Sequence, residues 1–301
     1  MIKVTFLGTS GSTPTKSRNL PSVALEYNGG LYLFDCGEGT QRQIMRYSLN
    51  ISKIKAIFVS HIHGDHVIGI AGLIRTMALN RRQEPLYIYV PSGYEGAIKQ
   101  LIVFDKAIIS FNIIIMPIES GTIYKGDGFY VKAFKLSHSV LTYGFIFVEN
   151  DKQRFIVQKA TELGLKGKMF SELQLKKNIK LNGSNIKLSD VTYTEKGLKV
   201  CYITDTRPVT PSKTSLGADL LIHEATFAES EKELAKERWH STGQDAARVA
   251  LRIKARKLVL MHFSARYKST SKIVNEARQI FNDTVAAKDG MSITLDKHMG
   301  S

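Results

Sequence analysis

The chain has 301 residues, 43% of them hydrophobic and 23% charged, the proportions of a globular protein with a sizeable core in one large domain or two small ones. No run approaches the ~18 uninterrupted apolar residues of a membrane span, residues 1–8 alternate like a strand and not like a signal peptide, and two cysteines, Cys36 and Cys201, cannot make a disulfide framework, so a reducing cytoplasm is the expected compartment. Lys and Arg number 42 against 27 Asp and Glu, a formal net charge of +15, and a positive potential of that size steers polyanions such as nucleic acid toward the surface.

In chain order, residues 3–7, 23–27 and 31–34 read as strands, the last two joined by an Asn28-Gly29-Gly30 hairpin turn. A short helix over 38–47 precedes a buried strand at 55–59 and a helix at 67–79. Strands follow at 86–90, 111–116, 129–134 and 143–148. From 150 to 190 the apolar periodicity weakens, proline is absent, and nine basic residues stand against four acidic ones, a net of +5. That stretch is expected to project from a single catalytic domain as a basic insertion. The pattern then resumes with strands at 199–204 and 219–222, an amphipathic helix at 242–253, a strand at 257–261, a helix at 271–281 and a last strand at 292–295. No repeat of fixed period is present. The closing His298-Met299-Gly300-Ser301 reads as an expression scar, so His298 is set aside from the chemistry.

The chemistry concentrates in Ser60-His61-Ile62-His63-Gly64-Asp65-His66, directly after a buried strand. Three imidazoles and a carboxylate in six residues repel if charged and are poorly satisfied if buried, unless a metal organises them. Imidazole and carboxylate are ligand types that Zn²⁺ takes, and this donor density suffices for two adjacent ions. Such a site makes hydroxide available near neutral pH. His138, Asp205, His223 and His262 also stand at strand exits, where loops converge on a rigid frame. Any one of them alone is ordinary; together they suggest one assembled site.

The His-x-His-x-Asp-His motif resembles the signature of the metallo-β-lactamase superfamily. Further words resemble its tRNase Z branch, the tRNA 3′-processing endoribonucleases. They are Phe6-Leu7-Gly8-Thr9-Ser10-Gly11, Pro14-Thr15-Lys16-Ser17-Arg18-Asn19, Asp35-Cys36-Gly37-Glu38-Gly39-Thr40-Gln41, Asp205-Thr206-Arg207-Pro208, His223-Glu224-Ala225-Thr226, His240-Ser241-Thr242 and His262-Phe263-Ser264-Ala265-Arg266-Tyr267, in the family's order. The resemblance implies an α+β fold, a four-layer αββα sandwich with an inserted basic arm. It implies two Zn²⁺ per subunit, with Mn²⁺ as the other candidate. His61, His63 and His138 would bind one ion, Asp65, His66 and His262 the second, and Asp205 would bridge them. Asp35 would accept a hydrogen bond from a ligand and orient it. His240 resembles the general acid, with Glu224 as its orienting partner, and Asp65 would also take part in proton transfer from water.

Lys16 and Arg18 share one exposed turn that suits phosphates, and Ser264 and Arg266 would contact the nucleotide at the cut. The 150–190 insertion corresponds to the family's flexible tRNA-binding arm, although Gly164-Leu165-Lys166-Gly167-Lys168-Met169-Phe170 replaces the common Gly-Pro element. The implied reaction removes the 3′ trailer of precursor tRNA after the discriminator nucleotide, leaving a tRNA 3′-hydroxyl and a trailer 5′-phosphate; the implied assembly is a homodimer. Two other readings stay open: a small-molecule phosphodiesterase or other hydrolase of the same fold, and a non-catalytic tRNA-binding protein. The basic arm and the Lys16/Arg18 loop argue against the first, and the full donor set against the second.

Overall fold

The computed structural model describes residues 1–103, 109–181, 183–209 and 211–297; His298 lies outside them. These residues divide into two compact units, one of 1–148 with 198–301 and one of 149–197.

In the larger unit, strand alternation builds two sheets that share one core. One sheet has the order Ser292–Leu295, Ile2–Gly8, Ser22–Tyr27, Gly30–Phe34, Ile54–Phe58, Leu86–Pro91, Ile113–Ile118. The other runs Thr284–Ala286, Leu258–Met261, Leu220–Glu224, Lys199–Ile203, Tyr143–Glu149, Phe129–Lys135, Gly121–Gly126. Ala56 and Phe58 of one sheet join Tyr143, Phe145 and Phe147 of the other in the central core. The opposite faces are covered too, so these strands read as near-continuous apolar runs. Ile57 and Val59 pack with Ile70, Leu73 and Ile74 of the helix Gly69–Leu79. Ile146 and Val148 pack with Ala246, Ala247 and Ala250 of the helix Gly243–Arg252. The result is the expected αββα sandwich. Among the described residues, no helix is long and apolar enough to cross a membrane.

Most predicted elements stand within a few residues of their predicted bounds. The helix Gly243–Arg252 starts where Thr242 Oγ1 accepts from the Asp245 amide and Asp245 answers to the Thr242 amide, a capping box. The expected 67–79 helix is two, Gly64–Val67 and Gly69–Leu79. Among the elements that carry no sequence signal are the strands Gly121–Gly126 and Thr284–Ala286 and the helices Glu95–Val103 and Lys232–Glu237. The first is a largely solvent-touched edge bounded by glycines, and the second is three residues long.

The 149–197 unit is a folded body with a core of its own, although its apolar periodicity is weak. A ribbon pairs Lys152–Phe155 with Thr192–Glu195, and a hairpin pairs Asn178–Leu181 with Ser184–Lys187. The helices Val157–Glu162 and Met169–Lys176 complete a core of Ala160, Leu165, Leu173, Ile179, Ile186, Leu188 and Val191. Elements of four to eight residues are too short to display a period. Lys159, Lys166, Lys168, Lys177 and Lys180 are exposed and form no ion pair among the described residues.

Because this core is its own, Leu173→Ala should loosen the 149–197 unit by about 2–5 kcal/mol. Hydrogen exchange should then accelerate across 149–197 and stay at the wild-type level in strands 143–148 and 199–203. Equal acceleration in both units would rule out an independent core.

Candidate metal centre

Strand exits deliver the donors to one place. Asp35 follows Gly30–Phe34, His61–His66 follow Ile54–Phe58, His138 follows Phe129–Lys135, Asp205 follows Lys199–Ile203 and His262 follows Leu258–Met261. Asp35, Asp205 and His262 have φ of 59°, 28° and 58°, a left-handed conformation that costs a non-glycine residue roughly 1–3 kcal/mol and persists only where neighbours impose it. Two glycines permit the close approach: a Cβ on Gly11 would lie 2.7 Å from the His262 ring, and one on Gly37 2.4 Å from the Asp65 carbonyl oxygen.

Two donor sets meet at Asp205. In one, His63 Nδ1 lies 3.1 Å from His61 Nε2 and 3.4 Å from His138 Nε2, while Asp205 Oδ2 stands 3.6 and 3.8 Å from the same two Nε2 atoms. In the other, Asp65 Oδ2 lies 3.4 Å from His66 Nε2 and 3.7 Å from His262 Nε2. Asp205 Oδ1 closes that set at 3.4 and 3.0 Å from those nitrogens.

The outer partners fix each ring's tautomer. His66 Nδ1–H donates to Asp35 Oδ2 (2.8 Å) and His138 Nδ1–H to the Trp239 carbonyl (3.0 Å), acceptors with no proton of their own. Ser60 Oγ donates to Asp35 Oδ2 (2.9 Å) and so accepts from His61 Nδ1–H (3.0 Å). Thr226 Oγ1 donates to Glu224 Oε2 (2.6 Å) and accepts from His262 Nδ1–H (2.9 Å). Four Nε2 lone pairs therefore point inward, together with two carboxylates. Buried His66 Nε2 and His262 Nε2 make no hydrogen bond despite carboxylate oxygens within 3.4 Å. Lone pairs of this kind converging at 3–4 Å fit divalent cations, and the nitrogen–oxygen donor set suits zinc.

Electrostatics agree. Burial, reinforced by His66, holds the His61 imidazole well below its usual pKa, and burial also lowers His138. Burial would raise Asp65 and Asp205, but His66 for the first and His262 for the second outweigh it and hold both well below the carboxylate range. Burial would lower His66, but Asp35, Asp205 and Asp65 push it well above its usual value. A proton and a metal ion thus compete for the same position, so uptake of the ion releases protons and weakens as pH falls.

Asp35 is buried and accepts from the Ser60 amide (2.7 Å) and Tyr202 Oη (2.7 Å) as well as from His66. Glu224 serves two sides. Its Oε1 accepts from the Thr206 amide (2.8 Å), His240 Nδ1–H (2.9 Å) and the Ser241 amide (3.2 Å), and its Oε2 holds Thr226. Burial would lower the His240 pKa, but the Glu224 carboxylate overrides it and lifts it to about 9. The His240 ring lies 5.4 Å from that of His262 and 5.3 Å from that of His138. Ser60, Tyr202, Thr226 and the Ser12 amide, which donates to Asp65 Oδ2 (2.9 Å), were not among the predicted site residues. Of these, Ser60 and Thr226 lay within quoted motifs, Ser60 directly before His61 and Thr226 two residues past the strand Leu220–Glu224.

The predicted substrate contacts fare differently. Lys16 is exposed. Arg18 is not the free surface cation expected: it turns inward, and Nη1 donates to Thr9 Oγ1 (2.7 Å) and the Ala287 carbonyl (2.8 Å). Arg266 is exposed but ion-paired, Nη1 to Glu231 Oε1 at 2.7 Å, with Nε to the half-buried Ser264 Oγ at 3.2 Å. His223 stays outside both donor sets, buried, with Nδ1–H to the Glu224 carbonyl (2.7 Å).

Known proteins share this arrangement's chain. The family model described as Anti-Pycsar protein Apyc1 matches residues 2–177, and that described as Beta-lactamase superfamily domain matches residues 172–263. The chain is 39% identical over 304 residues to a ribonuclease Z of Methanothermobacter thermautotrophicus, covering 100% of this chain and 99% of that one. It is 39% identical over 303 residues to a ribonuclease Z of Archaeoglobus fulgidus, covering 98% of each. The fold superposes on human tRNase Z, short form, with a TM-score of 0.72 and 29% identity over 98% of this chain and 99% of that one. The metallo-beta-lactamase fold protein YhfI of Bacillus subtilis shares the fold, at TM-score 0.69 and 20% identity over 97% of this chain and 98% of that one.

The outer hydrogen bonds give a direct measurement. Asp35→Ala should weaken Zn²⁺ binding by roughly 10–100-fold and Tyr202→Phe by less, read by competition with a chromogenic chelator. Wild-type affinity in Asp35→Ala would remove Asp35 from the support of the centre.

Proposed function

The chain belongs to the ribonuclease Z family, whose members match it from end to end within the fold that the Apyc1 and beta-lactamase superfamily models also cover, and from that membership we propose its reaction. It is a tRNA 3′-processing endoribonuclease, a phosphodiester hydrolase that removes the 3′ trailer of precursor tRNA after the discriminator nucleotide. The observation that carries the site assignment is the pair of donor sets joined through the two oxygens of Asp205, with the Glu224–His240 pair beside them.

His61, His63, His138 and Asp205 Oδ2 would hold one cation, and Asp65, His66, His262 and Asp205 Oδ1 the other. Zinc suits these donors and manganese is the other candidate. Two such cations supply Lewis acidity, lowering the pKa of water and neutralising charge on the phosphate. Asp65, kept ionised by His66 and His262, takes the proton of the attacking water as its oxygen bonds to phosphorus. The phosphorus–O3′ bond breaks in line, and O3′ leaves poorly unless protonated. His240 carries that proton: Glu224 holds Nδ1–H and favours the imidazolium, leaving Nε2–H to deliver to O3′. The products are a tRNA 3′-hydroxyl and a trailer 5′-phosphate.

The 149–197 unit offers tRNA a surface of unpaired lysines, suited to reading backbone charge and shape, and Lys16 adds a phosphate contact. The enzyme acts in the cytoplasm as a homodimer in which the arm of one subunit grips tRNA cut by the other. Met45 and Leu79, on helices that pack together in the larger unit, and Ile68, at the start of the second of these helices, leave apolar side chains exposed for a second copy to cover.

Incubated with 5′-end-labelled precursor tRNA, the protein should make one cut after the discriminator, abolished by chelator. His240→Ala should lower kcat by about 10²–10⁴ with KM retained. Absence of any cut by the metal-loaded wild type would overturn the reading. Deleting 151–196 should raise KM for precursor tRNA and flatten its dependence on salt, while hydrolysis of bis(p-nitrophenyl) phosphate persists. Loss of both activities together would give the arm a structural role instead.

A further inference from the structure

The 9–19 loop reaches the metal centre at two points. Its Ser12 amide donates to Asp65 Oδ2 (2.9 Å), and Ser10–Gly11 pairs in parallel with Phe263–Ser264, directly after His262. What holds the loop lies at the far end of the sequence. Thr9 Oγ1 donates to Asp289 Oδ1 (2.8 Å), and Asp289 Oδ2 accepts from the Asn19 amide (2.6 Å) and from Gln43 Nε2 (3.0 Å). One half-buried carboxylate thus ties both ends of the loop. Arg18 completes the brace, binding Thr9 Oγ1 and the Ala287 carbonyl, with its guanidinium 4.9 Å from the centre of the Phe263 ring. The segment bearing Asp289 is itself pinned, Ala287 N–H to the Leu260 carbonyl (2.8 Å) and Gly290 N–H to the Phe6 carbonyl (2.7 Å).

We propose that Asp289, acting with Arg18, is a positioning residue of the hydrolase: it fixes the 9–19 loop so that the Ser12 amide holds Asp65 in the orientation its catalytic role needs. Neither residue touches the reacting atoms. Arg18 acts through the loop and not on substrate phosphate, which separates it from Lys16 two positions away. An amide at this position keeps one oxygen for the Asn19 and Gln43 donors, but it removes the charge beside Arg18 and puts an N–H donor against Thr9 Oγ1, which must give up its own donation, so Asp289→Asn is the informative change. The assignment rests on the endoribonuclease reading only for the identity of the natural substrate, since Asp65 serves any phosphodiester cut at this centre.

The test compares Asp289→Asn, Arg18→Lys and Lys16→Ala in the metal-loaded full chain. Asp289→Asn should lower kcat by about 10-fold or more on both precursor tRNA and bis(p-nitrophenyl) phosphate, the scale of a displaced catalytic group. KM for precursor tRNA and its slope against log salt should stay put, and amides 10–19 should exchange faster while strands 143–148 and 199–203 keep their protection. Arg18→Lys should do the same to a smaller degree. Lys16→Ala should do the reverse, raising KM and flattening the salt slope with kcat kept, as loss of a phosphate contact requires. Should Asp289→Asn fail to fold, Thr9→Val removes the hydroxyl that links Arg18 to Asp289 at nearly constant volume and is read in the same way. Wild-type kcat and wild-type loop exchange in a folded variant would overturn the proposal, and so would an Arg18 variant that changes the salt slope and not kcat. A chain that leaves precursor tRNA uncut, yet loses small-phosphodiester hydrolysis and loop protection on Asp289→Asn, would keep this inference and remove the endoribonuclease reading.

Discussion

The two oxygens of Asp205 face different sets of imidazoles, and much of the structure serves that arrangement. A carboxylate buried among histidines is tolerable only if every surrounding nitrogen has a defined proton state. The outer partners supply it: Asp35 for His66, Ser60 for His61, the Trp239 carbonyl for His138 and Thr226 for His262. Asp35, Ser60 and Thr226 stand on strand exits or the loops beyond them and Trp239 just past the helix Lys232–Glu237, so the sandwich acts as a jig for proton placement. The left-handed backbones at Asp35, Asp205 and His262 show how tightly the exits are bent to meet.

Two buried carboxylates do the orienting, and they divide the work. Asp35 gathers Ser60, Tyr202 and His66 on one side of the centre. Glu224 gathers Thr206, Ser241, Thr226 and His240 on the other. Through Thr226, Glu224 bears on His262 as well, so the proposed general acid and one proposed metal ligand answer to the same carboxylate. A change that moved Glu224 would disturb both at once, and single substitutions on this side are not expected to act additively.

The donors themselves were legible because their chemistry is dense and local: three imidazoles and a carboxylate in six residues have few other uses. The central strands were legible because both faces are buried. Tyr202 was not, since a tyrosine inside Val200-Cys201-Tyr202-Ile203 reads as core, and only the tertiary fold brings its hydroxyl to Asp35. Arg18 was misread because sequence gives a residue's place on a turn but not the direction of its side chain, and an aromatic ring and a carbonyl drew this one inward. The core of the 149–197 unit stayed hidden because it is assembled from pieces of no more than eight residues.

The strand Ile2–Gly8 pairs antiparallel with Ser292–Leu295, and Thr9 and Asp289 bond across 280 positions of sequence. The loop carrying Ser12 is therefore seated only once two segments 280 positions apart have met. Contacts of such separation are slow to form, because loop closure must precede them. The folding chain can therefore assemble its strands well before its loop is seated beside Asp65.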